Sequence, residues 1–187
     1  MIDYIQSVTR AADEIRAASA GVSPAEIKKL AVELSKAKRI ALHGLGREGL
    51  MMRALAMRLF HLGLDAHVVG EMTTPPVGRG DLLIVSAGPG HFRTIRELVR
   101  QASLAGAHTA CVTAQPKAIV PMACDTVLTI PAQTMANDTG ARAASRLPMG
   151  SVFEGAQFLT FEVLILILRE RLRISPAAMR RRHTNLE

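Results

Sequence analysis

The sequence predicts an α/β fold, a three-layer α/β/α sandwich around a five-stranded parallel sheet, and three observations carry that expectation. From residue 39 onward, short apolar runs alternate with segments of helical spacing. The run Leu82-Leu83-Ile84-Val85 is apolar throughout, as a strand covered on both faces requires. Glycine-rich turns follow the first and third runs, where a chain leaving a strand enters a helix. At 187 residues the chain fits one domain. It divides into leading helices over 1–37, an α/β core over 38–150 and closing helices over 151–187.

Residues 2–20 place Ile5, Val8, Ala12 and Ile15 on one stripe and predict a first helix. Ser23-Pro24-Ala25-Glu26 reads as a capping box with proline at the first helical position, so a second helix runs to about residue 36. Arg39 to His43 is the first strand. A helix follows over 47–62, with its apolar stripe at Leu50, Ala54, Met57 and Leu59. Strands are expected at 66–69, 81–86, 109–113 and 126–130, with helices at 94–104 and, more weakly marked, 117–122. Residues 133–148 are small and polar and form a long loop of the kind that carries function. A helix from 151 to 173 and a short one after Pro176 close the chain.

Composition excludes several classes. Apolar residues make up 49% and charged residues 21%, too apolar for disorder, while aromatics are only 3%. The start, Met1-Ile2-Asp3-Tyr4, does not read as a secretion signal, and the longest apolar run, Val163 to Leu168, is far short of a membrane span. A cytoplasmic protein with no membrane partner is expected. Cys111 and Cys124 lack metal-site spacing and read as small core residues, so neither disulfide nor metal is predicted. The net charge of +7 is concentrated in arginines between 169 and 182 with no aromatic platform beside them, which argues against a nucleic-acid partner.

In an open parallel sheet, ligands bind outside the carboxyl ends of the strands. The loops at 44–49, 70–78, 86–94 and 113–117 are therefore the candidates. Gly44-Leu45-Gly46-Arg47-Glu48-Gly49 matches the dinucleotide fingerprint, and Glu71 falls near the expected ribose acid. However, Met72-Thr73-Thr74-Pro75-Pro76 is no helix start, and a second turn, Ser86-Ala87-Gly88-Pro89-Gly90-His91, opens on the same side. Two such turns suit a compact anion or polyol better than an extended dinucleotide, and no cofactor is predicted.

The same residues, read as ordered blocks, resemble the sugar isomerase (SIS) domain family, and within it the 6-phospho-3-hexuloisomerases. The blocks are Gly44-x-Gly46-Arg47-x-Gly49, Ala56-Met57-Arg58-Leu59-x-His61-Leu62-Gly63, Val68-Val69-Gly70-Glu71-x-Thr73-Thr74-Pro75, Pro148-Met149-Gly150-Ser151-x-Phe153-Glu154 and Arg182-His183-x-Asn185-Leu186-Glu187. The resemblance implies an isomerase that moves a carbonyl between neighbouring sugar carbons through an enediolate, and a homotetramer. It implies Glu154 as the base, His61 as a proton-moving partner and His183 as a tail residue reaching a neighbouring subunit's pocket. On the residues alone, Glu154 reads as a helix-dipole partner and His61 as a packed histidine.

The chain departs from that family where phosphate is held. The family loop Ser-Gly-Ser-Gly-x-Thr aligns with Ala87-Gly88-Pro89-Gly90-His91-Phe92, and a serine of the first loop is replaced by Glu48. Three outcomes are open. His91, Arg93 and Arg47 replace hydroxyls with charged donors; the ligand carries no phosphate and Glu48 meets its hydroxyls; or the domain binds sugar without turnover. Ser86, Thr94 and Thr113 supply hydroxyls under any of them, and the small-molecule site is expected to comprise Gly44, Gly46, Arg47, Glu48, Ser86, Gly88, Gly90, His91, Arg93 and Thr113.

Overall fold

The structure, a computed structural model, describes residues 2–140 and 143–186. Two helices lead, α1 (Tyr4–Ala20) and α2 (Pro24–Lys36). There follow β1 (Ile40–Gly44), α3 (Gly46–His61), β2 (Ala66–Val68), β3 (Leu82–Ser86), α4 (Arg93–Leu104), β4 (His108–Thr113), a 3-10 turn (Pro121–Ala123) and β5 (Thr126–Thr129). The chain ends with α5 (Ser151–Arg171) and α6 (Pro176–Arg181). All strand pairs are parallel, in the order β2-β1-β3-β4-β5. The order reverses between β1 and β3, so the crevice for a ligand opens where these two strands end.

The sheet separates two cores. On one face Leu42, Ile84, Val112 and Leu128 pack with α2, α3 and α5; on the other Leu83, Val85 and Cys111 pack with Ile95 and Val99 of α4. This is the three-layer sandwich the apolar strands predict. α5 runs through the first core with Phe153, Ala156, Leu164 and Leu168 buried. It has 21 residues and is long and apolar enough, by length and composition, to cross a membrane, a length that the six-residue run from Val163 understates. Half of it is buried inside the domain, as befits a core helix.

Three local expectations change. Ser23 does cap α2 and accepts from the Glu26 amide at 3.5 Å, but the Glu26 carboxylate does not close a capping box. It accepts instead from the Thr129 amide at 2.7 Å and ties α2 to β5. On α3 the buried stripe is Met52, Leu55, Ala56 and Leu59, whereas Leu50 and Met57 are exposed. The sheet and α5 meet a face about one position away from the predicted one. The helix expected over 117–122 shrinks to the 3-10 turn, because Pro116 and Pro121 remove the amides a longer helix needs.

Candidate active site

A cavity of about 300 Å³ opens where β1 and β3 end. Its wall is made by Leu45, Gly46, Arg47 and Glu48 after β1, Pro89 and Phe92 after β3, Thr134, Met135 and Met149 of the long loop, and Gly150, Phe153 and Glu154 at the start of α5. Glycine permits this meeting of loops. A Cβ on Gly49 would lie 2.6 Å from the Gly44 carbonyl oxygen, so α3 can leave β1 this steeply only with glycine there. Gly90, at φ 81°, would put a Cβ 2.2 Å from that of Ala118 and could not close the second turn with a side chain.

Glu48 lies in the first turn of α3 and is buried. Its Oε2 accepts from the Ser86 hydroxyl at 2.6 Å and from the Gly88 amide at 2.9 Å. Ser86 in turn accepts from Gln157 Nε2 at 2.9 Å, a residue one turn beyond Glu154 on α5. Gly88 has no room for a side chain, since a Cβ would stand 2.9 Å from Glu48 Oε1 and 2.9 Å from the Phe153 ring. Burial pushes the Glu48 carboxyl above its ordinary range, the Ser86 and Gly88 hydrogen bonds oppose this, and the negative charge of Glu154 adds to it.

Glu154 occupies the first turn of α5, where the helix N-terminus favours a carboxylate. Its side chain is 14% exposed, and Arg47 Nε donates to its Oε2. Arg47 itself is 68% exposed and, among the described residues, the only cation lining the cavity. Among the described residues the cavity therefore holds two carboxylates, one guanidinium and otherwise mostly apolar walls.

The expected site residues divide into those brought together and those not. Gly46, Arg47, Glu48 and Glu154 line the cavity, and Ser86 and Gly88 support it through Glu48. Gly44 and Gly90 shape the turns. Thr113 is buried, donates to the Gly88 carbonyl at 3.2 Å and accepts from the Gln115 amide at 3.0 Å, so its hydroxyl braces the loop. His91 and Arg93 are exposed and do not line the cavity; His91 lines a neighbouring cleft with Gln115, Lys117 and Asn137. The loop over 70–78 contributes nothing to the wall, and Glu71 faces Arg53 at 3.6 Å.

His61 and His183 meet each other and not the cavity of their own chain. Their ring centroids lie 5.2 Å apart at the far end of α3, where Arg182 donates to the His61 carbonyl at 3.2 Å. Sequence reasoning missed Gln157, Phe153 and the two methionines. Gln157 was within reach, since its spacing of three from Glu154 puts both on one helix face.

The SIS domain family model matches residues 33–154 and so ends on Glu154 itself. A 3-hexulose-6-phosphate isomerase of Mycobacterium gastri is 34% identical over 185 residues, 99% of this chain and 92% of its own length. One from Bacillus subtilis is 32% identical over 175 residues, 94% of each chain. The crystal structure of a hypothetical protein from Methanococcus jannaschii, inferred to be a 3-hexulose-6-phosphate isomerase, superposes with a TM-score of 0.84 at 25% identity. It covers 97% of this chain and 99% of that one. With a family match over most of its length and relatives alike almost end to end, the chain belongs to the SIS domain family.

Proposed function

We propose that this SIS domain is a sugar isomerase that moves a carbonyl between neighbouring carbons through an enediolate, with Glu154 as the base. One observation carries the assignment: Glu154 is held on the wall of the cavity formed by both glycine turns, with Arg47 against it. The relatives' names support the same chemistry. A carboxylate there lifts the proton from the carbon beside the carbonyl, the pair of electrons moves onto the carbonyl oxygen, and the proton returns to the neighbouring carbon. Arg47 is the group available to balance the transient oxyanion.

A second proton must pass between the two oxygens, and His61 or His183 of another subunit is the proposed carrier, since an imidazole can take a proton on one nitrogen and give one up from the other. Exposed Phe158, Leu159, Val163 and Leu166 on α5 support a homo-oligomer. The number four rests on likeness to the family. A sugar-binding module without turnover is the competing assignment. Proton exchange into ketoses and their phosphates in deuterated buffer separates the two. The isomerase washes deuterium into the carbon beside the carbonyl, and Glu154→Gln loses about a thousandfold or more of that rate while still binding sugar. Sugar binding with no exchange in the wild type would leave the module.

A further inference from the structure

Accounting for donors at the end of β3 leads to a ligand class. The Gly88 amide and the Ser86 hydroxyl both point at Glu48 Oε2. The Thr113 hydroxyl is given to the Gly88 carbonyl at 3.2 Å, the Gly90 amide to the Ala87 carbonyl at 2.9 Å, and the Ala87 amide to Val112 at 2.9 Å. These are the groups that a glycine-rich turn would otherwise offer to an anion. Arg47 is engaged with Glu154, and His91 and Arg93 lie outside the wall. An incoming phosphate would find the donors of the turn after β3 already taken, there by a buried carboxylate, and would meet a second carboxylate across the cavity.

We infer that Glu48 is a built-in occupant of the anion corner of this pocket, and that the substrate is an uncharged polyhydroxy carbonyl compound, a free sugar, whose hydroxyls the Glu48 carboxylate receives. That the ligand is a substrate rests on the isomerase assignment, whereas the occupied donors of the turn after β3 stand on geometry alone. The cavity, at about 300 Å³, is at the small end for ligand sites and suits a compact molecule. Gly88 is part of the device, because any side chain there would strike Glu48 and Phe153 and push the carboxylate off its donors. The carboxylate thus does two things: it satisfies the turn from within, and it repels a dianion while accepting from hydroxyl groups.

The test is a thermal-shift titration of the full chain with inorganic phosphate, D-fructose 6-phosphate and D-fructose. It uses wild type, Glu48→Ser and the isosteric, uncharged Glu48→Gln, which guards against a folding defect in the first variant. Wild type is expected to bind fructose 6-phosphate no more tightly than fructose. Glu48→Ser frees the Gly88 amide and is expected to tighten phosphate and fructose 6-phosphate by about tenfold to a hundredfold, with a smaller gain in Glu48→Gln. A wild type that prefers fructose 6-phosphate by about tenfold, or a gain below about threefold in both variants, overturns the inference. These readings need no turnover, so a failure of deuterium exchange in every sugar removes the isomerase assignment and leaves the phosphate titration to decide this one.

Discussion

The two ends of α3 carry two sets of titratable side chains, and they are not alike. At its start, Arg47 and Glu48 stand on the cavity with Glu154, where burial sets a carboxyl against a neighbouring carboxylate. At its end, His61 is buried against the ring of His183 and beneath Arg182, whose guanidinium packs on Gly63 at φ 87°. The sixteen residues from Gly46 to His61 rise roughly 22 Å, farther than any side chain reaches. One end has the acid chemistry that an enediolate needs, and the other has the imidazoles. If both act in one reaction, they come from different copies of the chain.

The largest effect that would sharpen this contrast is on the histidine end. His61→Asn and His183→Asn should each lower kcat by about a hundredfold with KM little changed, if either ring moves protons in a neighbour's cavity. Mixed oligomers of His61→Asn and Glu154→Gln should then regain a measurable share of the rate, because some cavities combine a native base with a native histidine. Full activity in both single variants would make this end purely structural.

A smaller effect belongs to the cavity end and appears in stability against pH. Because the folded-state pKa of Glu48 is raised, its contribution to stability is present below the unfolded carboxylate range and is lost as pH rises through the folded value. Glu48→Gln removes that loss. The melting temperature of the variant relative to wild type should therefore rise as pH climbs from the ordinary carboxylate range, about 4, through the raised folded-state value. A flat difference would mean that Glu48 is not strained by its burial.

How much of this was legible in the sequence follows from the kind of signal involved. The sheet and the two turns could be read because an apolar run, glycines and a helix start are local events, and Gly44, Gly46, Gly88 and Gly90 sit at them. The place of Glu154 at the site was legible only through the resemblance of its block to the SIS family, since the long loop between β5 and α5 leaves topology free to start that helix elsewhere. The buried face of α3 did not follow, because Leu50, Met57 and Phe60 are as apolar as Met52 and Leu55 and only the partners choose between the faces. Glu26 and Glu48 teach the same lesson. A carboxylate's type and spacing announce a hydrogen bond, but Thr129, 103 residues from Glu26, and Gly88, 40 from Glu48, decide which one is made. The pairing of His61 with His183 joins two blocks distant in sequence, visible there only as separate motifs.

Sugar entering the cavity where β1 and β3 end would meet methionine methyl groups, which report on it directly. Met135 and Met149 line that wall, whereas Met122 lies in the 3-10 turn outside it. In a chain labelled with carbon-13 at the methionine methyls, titration with a sugar that the protein turns over should shift the Met135 and Met149 signals in a saturable way and leave Met122 in place. Saturation of binding with the Met135 and Met149 signals unmoved would contradict the account.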